Sequence, residues 1–173
     1  MSWSGQHWLS GRSAGEIMYV LENLGSHTSN DGYPSEIGGG GSITTWEYDF
    51  NNSNIYSGWG SSVRKNWNPL TGSPAFDVLE PQIYQVLSKS GEWTARFNGT
   101  TSYTTAVNSV DFNSTNSGNT YIGAAHLSVF NGNISEVVLY GRELTATERA
   151  RVQSYLAIKY GIAIDQSTPT DYL

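Results

Sequence analysis

Two carboxylates, Glu47 and Asp49, stand two residues apart in the run Trp46-Glu47-Tyr48-Asp49-Phe50. Alternate side chains of an extended chain share a face, so this spacing sets both on one side of a strand. A retaining glycosidase uses an acid and a nucleophile about 5 Å apart, whereas carboxylates two apart on a strand stand roughly 7 Å from each other. An ordinary solvent-facing strand accounts for the pair without chemistry. A second group is aromatic: Trp46, Tyr48, Tyr56, Trp59 and Trp67 lie in or beside Gly/Asn-rich chain. Flat rings stack on the apolar C–H faces of sugars, while amides and charged groups take the hydroxyls. Trp59, then Trp67 and Tyr56, are the candidate platforms, and Asn54, Arg64 and Asn66 are the candidate polar partners. Some of these rings must instead fill the core. The histidines His7, His27 and His126 are scattered, and form neither an H-E-x-x-H zinc motif nor a Ser-His-Asp order.

Composition narrows the classes. The 173-residue chain has 14% charged residues, a net charge of −6, 19 glycines and no cysteine. Without cysteine there are no disulfides, zinc-thiolate sites or thiol nucleophiles. Arg64-Lys65 is the densest basic cluster, so nothing prepares a phosphate backbone or an anionic membrane for binding. Apolar runs such as Ile17-Met18-Tyr19-Val20-Leu21 are too short to span a bilayer. An aromatic share of 13% supplies a core, and Gly, Ser, Thr and Asn suit many short strands joined by tight turns.

The elements that must position these residues are mostly extended. Residues 15–22 read as a buried strand, and Ile43 to Phe50 alternates as a second. Gln82 to Ser88 and Trp93 to Ala106 follow, the latter folded at Asn98-Gly99, a two-residue hairpin signal. Thr120 to His126 and Asn133 to Tyr140 are the last strands. The period then changes. Thr145-Ala146-Thr147-Glu148 is a capping box, and Gly161 a stop, so the spacing predicts a helix over about 146–160. The expected domain spans 1–163, with 164–173 as a tail or linker. Asn51, Asn98, Asn113 and Asn133 head N-x-S/T sequons, which such Asn/Ser/Thr content also produces by chance.

The run FNGNISEVVLYGRELTATERARVQSYLAIKYGI, from Phe130 to Ile162, resembles the end of bacterial laminin-G-like domains of the concanavalin A-like jelly-roll superfamily. Gly132, Ile134, Glu136, Val137, Tyr140, Arg142, Leu144, Tyr155, Leu156, Lys159, Tyr160 and Gly161 carry it. Trp93 to Gly99 and Tyr121-Ile122-Gly123 resemble the same domains' hairpin and "x-I-G" strand. The resemblance implies an all-β, antiparallel two-sheet jelly-roll sandwich closed by one C-terminal helix. It implies calcium as a candidate cofactor, with Asp111 and Asn113 as ligands in a loop that also holds Asn116 and Asn119, and Asn30-Asp31 as a second cluster; plain turns explain both. It implies a structural role for Glu136 near the helix. Glu47 and Asp49 also resemble the start of the E-x-D-x-x-E signature of family 16 glycoside hydrolases, but Asn51 and Asn52 follow and the third carboxylate is missing. Such domains carry a strand pair before the 15–22 strand, and few residues precede it here. A neighbouring chain, or a second copy in a homo-oligomer, is therefore expected to supply a strand, or the chain is a fragment.

The leading expectation is a non-enzymatic extracellular binding or adhesion module whose partner is a glycan or surface polysaccharide. Two alternatives stand beside it: a structural phage virion component (a decoration or tail-fibre domain), and a glycoside hydrolase using Glu47 and Asp49. Localisation follows as extracellular, cell-surface or virion, with neither nucleic acid nor membrane insertion.

Overall fold

The computed structural model describes residues 2–3, 9–26, 32–37, 46–47, 49–51, 54–112, 120–124 and 129–166. In chain order the strands are β1 (Ser2–Trp3), β2 (Ala14–Asn23), β3 (Ser35–Glu36), β4 (Trp46–Glu47), β5 (Asp49–Asn51), β6 (Asn54–Ser57), β7 (Lys65–Trp67), β8 (Gln82–Lys89), β9 (Glu92–Phe97), β10 (Thr100–Thr105), β11 (Thr120–Ile122) and β12 (Gly132–Tyr140). A short 3-10 turn lies at Pro69–Thr71, and the α-helix α1 (Ala146–Tyr160) follows the last strand. Every strand pairing among the described residues is antiparallel. The fold is an antiparallel β-sandwich with a single C-terminal helix.

The five-stranded sheet, in the order β10-β9-β8-β2-β12, is the central layer. Its inner strands β2 and β8 are buried on both faces, which is why residues 15–22 read as a nearly continuous apolar run. One face presents Ile17, Tyr19, Leu21, Tyr84, Val86, Trp93, Ala95 and Phe97 to the main core. Opposite them stand Ile55 and Trp67 of a three-stranded sheet, β5-β6-β7, Trp59 from the turn between β6 and β7, and Ile37 beside a four-stranded sheet, β1-β11-β3-β4. The Tyr19 hydroxyl meets that of Ser35 across the two layers.

The other face carries Met18, Val20 and Ile83 against Leu156, Ala157, Ile162 and Ile164 from α1 and the chain after it. A bulge keeps β12 in phase with both cores. Ile134 and Val137 both pack inward, although an odd spacing would normally send them to opposite faces, because the register shifts between Ile134 and Glu136.

At the end of β9, Asn98 and Gly99 both have positive φ (48° and 87°) and join Phe97 to its paired Thr100, the geometry that an Asn-Gly turn adopts. Thr145 accepts the Glu148 amide while Glu148 reaches back to the Thr145 amide, and Gly161 closes α1 in the left-handed region.

Three expectations change. The run from Ile43 to Phe50 is not one strand where it is described: Trp46–Glu47 pairs with β3, and Asp49–Asn51 pairs with β6 in a different sheet. β11 ends at Ile122, short of His126, because Gly123 turns the chain with φ 80°. The packed chain runs past 163: Ile164 is buried, and the Asp165 amide donates to the Asn98 carbonyl at 2.9 Å. At the other end, Ser2–Trp3 pairs with Tyr121 and Thr120 as an edge strand.

Candidate functional site

The candidate sugar residues all come from β6, β7 and the turn between them, and period two divides them. Register opposes Ile55 to Trp67, Tyr56 to Asn66 and Ser57 to Lys65. Ile55, Ser57, Lys65 and Trp67 are buried, while Asn66 and Arg64 are exposed and Asn54 and Tyr56 are half-buried. Alternation therefore places Asn54, Tyr56, Arg64 and Asn66 on the outer face of the small sheet. The register continues to Asp49, which opposes Tyr56 on the other side. The Arg64 guanidinium lies over the Tyr56 ring, 4.8 Å from its centroid. An arginine so placed holds a ring in position and sets a positive charge beside it.

The two tryptophans are a correction. Trp59 is 0% exposed and Trp67 8%, so neither ring is a surface platform. Trp59 donates its indole N–H to the Gly15 carbonyl at 3.3 Å, and its own carbonyl accepts from the Trp93 indole at 3.0 Å. Its ring meets Phe112 edge-on at 5.3 Å. Phe112 in turn rests on two glycines: a Cβ on Gly60 would come within 2.1 Å of the phenyl ring, and one on Gly15 within 2.6 Å. Trp67 stacks on Tyr103 at 5.3 Å and bonds Ser102 through its indole nitrogen. The buried Lys65 ammonium donates to the Val107 carbonyl at 2.8 Å, and burial pulls its pKa below the ordinary lysine value. Large rings near Gly and Asn thus serve the core, because a sandwich this size has few other volumes to fill it.

The carboxylate pair does not keep its expected geometry. Glu47 sits on β4, opposite Ser35, while Asp49 sits on β5, opposite Tyr56, so the shared-face argument for one continuous strand no longer applies. For calcium, Asn113, Asn116, Asn119, Asn30 and Asp31 lie outside the described residues, as do all three histidines. Asp111 lines a shallow cleft of about 190 Å³ with Gly11, Arg12, Val110 and Phe112. A guanidinium in that cleft opposes a divalent cation, and no cluster of three acidic, His or Cys groups occurs among the described residues. Asp111 alone does not fit a calcium site.

The motif residues of the C-terminal run build the docking of α1. The Glu136 carboxylate accepts from the Lys159 ammonium at 2.9 Å and the Tyr160 hydroxyl at 2.9 Å, with the Tyr155 hydroxyl at 3.2 Å. Lys159 above all, then the two hydroxyls, holds this carboxyl below the ordinary range. Arg142 grips Glu148 through both terminal nitrogens, at 2.9 and 2.7 Å. That grip, with the Thr145 amide and hydroxyl, lowers the Glu148 pKa to about 2. The Glu136 contacts fasten α1 to β12, and the Arg142–Glu148 pair ties its first turn to the chain before it.

Sequence reasoning missed a groove of about 460 Å³ at the bulged end of β12, lined by Glu22, Pro81, Asn133, Ser135 and Tyr160 among others. Nothing in the spacing of Asn133 to Tyr140, read as an ordinary strand, pointed to it.

Comparison with known proteins places the fold in company. A family model described as a domain of unknown function (DUF8202) matches residues 148–173, the helix and the chain after it. No curated protein sequence matches the chain. Among solved structures it resembles the Ruminococcus gnavus IT-sialidase CBM40 bound to α2,3-sialyllactose, at 13% identity and TM-score 0.54, over 86% of this chain and 95% of that one. It also resembles the Trypanosoma rangeli sialidase in complex with sialic acid (13%, TM-score 0.54, 95% of this chain and 28% of that one). The receptor-binding domain of botulinum neurotoxin mosaic serotype C/D is similar at 11% identity and TM-score 0.54, over 87% and 36%. The chain spans about a third of the length of the sialidase and toxin chains. At these identities the likeness shows a shared β-sandwich fold.

Proposed function

We propose that this domain is a non-catalytic carbohydrate-binding module of the laminin-G-like type, working outside the cell. Its sugar docks on the outer face of β5-β6-β7. The observation that carries this reading is the convergence of Tyr56, Arg64, Asn54 and Asn66 on one face, with Tyr56 opposed by Asn66 in register and covered by Arg64. An aromatic ring, a guanidinium and two amides are the chemistry that a pyranose asks for: one apolar face and directional hydroxyl partners.

Support also comes from the solved relatives, one of which is a sialidase carbohydrate-binding module matched over nearly its whole length. Splitting of Glu47 and Asp49 between two sheets weighs against the glycosidase alternative. A glycan array probed with the purified domain, with calcium and again with EDTA, tests the reading. Specific binding is expected, and a blank array in both conditions would return weight to a structural assembly role. An EDTA effect would reopen a metal in the site.

A further inference from the structure

The groove at the bulged end of β12 encloses about 460 Å³, a size typical of small-ligand sites. Its shape follows from the bulge. Register passes from Ile134 against Leu21 to Glu136 against Val20, so Ser135 is the extra residue without a partner on β2. Val20, Leu21, Ile134 and Ile162 give the groove an apolar floor. The Tyr160 hydroxyl donates to the Ser135 carbonyl at 3.2 Å and to Glu136 at 2.9 Å, which leaves its ring to line the groove.

The rim is rich in acceptors and carries one uncompensated charge. Glu22 is half-buried, and its Oε2 accepts from Asn133 Nδ2 at 3.0 Å. Among the described residues no lysine or arginine pairs with this carboxylate. Lys159, the cation beside Tyr160, is already held by Glu136 at 2.9 Å. Oε1 of Glu22 therefore remains open, as does Oδ1 of Asn133, whose amide nitrogen is turned to Glu22. Ser135 is exposed beside them. An anionic ligand would meet repulsion here, whereas a cation would meet the acceptors it needs.

We propose that this groove takes a primary alkylammonium group, the chemistry shared by a lysine side chain and a free diamine. An ammonium carries three donors and no acceptor, which matches Glu22, Asn133 and the Ser135 hydroxyl on the rim. Its methylene stem lies on the apolar floor while its head stays at the polar edge, as lysine stems do on protein surfaces. The bond to Glu22 is charge-assisted, and the chain's net charge of −6 adds long-range attraction. The groove belongs to the central sheet and α1, not to the sheet that carries Tyr56, so the proposal stands apart from the sugar reading.

The test follows the backbone amide resonances of Asn133 and Ser135 in the whole chain during titration with cadaverine. Pentanediol, of the same length but uncharged, is the control, with ionic strength held constant by sodium chloride. Saturating shifts with cadaverine and none with the diol are expected. Glu22→Gln keeps the shape of the side chain and an acceptor for Asn133. It should weaken cadaverine binding about tenfold or more, as loss of a hydrogen bond to a charged group predicts. Equal affinity in E22Q, equal shifts with the diol, or no saturating shift in the wild type would overturn the proposal. Should E22Q fail to fold, cadaverine against diol in the wild type decides. A lysine blocked at both backbone ends, titrated in parallel, separates the two sources. Binding as tight as that of cadaverine assigns the groove to a lysine of a partner protein, and cadaverine binding alone assigns it to a free amine. Neither probe is a sugar, so a blank glycan array leaves this result standing.

Discussion

Arg149 on α1 holds the buried carboxylate of Glu16 on β2 through both Nε and Nη2, joining residues 133 positions apart in the chain. The pair is the polar part of a sheet–helix interface whose apolar part holds Met18, Val20, Ile83 and Leu156. Removing one partner leaves the other charged, buried and unpaired, which costs about 3–5 kcal/mol. Arg149→Met is therefore expected to lower the denaturant midpoint sharply. Exchanging both residues for apolar ones of similar volume should recover part of that loss. Equilibrium unfolding in urea of the single and double variants measures both effects.

Trp59 and Phe112 form a second coupled unit, with Gly15 and Gly60 flattened against the phenyl ring. Trp59→Ala should cost about 3–5 kcal/mol as a large-to-small core change. Gly60→Ala should cost more than about 1 kcal/mol, since φ at 53° disfavours a side chain and the new methyl would strike Phe112. Both belong in the same unfolding series, and a sugar-binding loss in either would report unfolding.

The N-terminus of α1 carries a pH-dependent contribution. The Glu148 carboxyl, held at about 2 by Arg142 and then by Thr145, is depressed from its ordinary 4.5. A depressed carboxyl stabilises the folded state above its unfolded pKa, and that stabilisation is lost as pH falls through the folded value. Stability should therefore decline between about pH 4.5 and 2. Glu148→Gln should be less stable near neutrality and show a flatter acid limb. Thermal unfolding across that pH window, wild type beside E148Q, checks it.

Much of the fold was legible because it rests on local rules. Asn98-Gly99 could only turn with two positive φ values, and the Thr145–Glu148 box with Gly161 fixed α1 from Ala146 to Tyr160. The candidate site was half legible. Alternation in Asn54 to Trp67 was present in the sequence, but which parity faced inward depended on the central sheet, whose Trp93 and Tyr103 receive Trp67. Choosing the largest rings as platforms ignored that the same property makes them the best core fillers. The break between Glu47 and Asp49 was invisible, since a chain that changes sheets keeps its alternating composition.

On the outer face, Tyr56 is the residue whose loss should be felt by a ligand and hardly by the fold. Truncating a central aromatic contact costs about 2 kcal/mol or more in binding, roughly thirtyfold. Half-exposed as it is, Tyr56→Ala should shift the unfolding midpoint far less than Trp59→Ala does.

The most direct test sets the wild type, Tyr56→Ala and Ile158→Ser on one glycan array, the last as a control on the opposite layer, where Ile158 is 72% exposed. The account predicts that wild type and I158S bind the same glycans while Y56A, still folded, loses them. Glycan binding that survives in Y56A would contradict the assignment of this face, and no binding by the wild type would contradict the function.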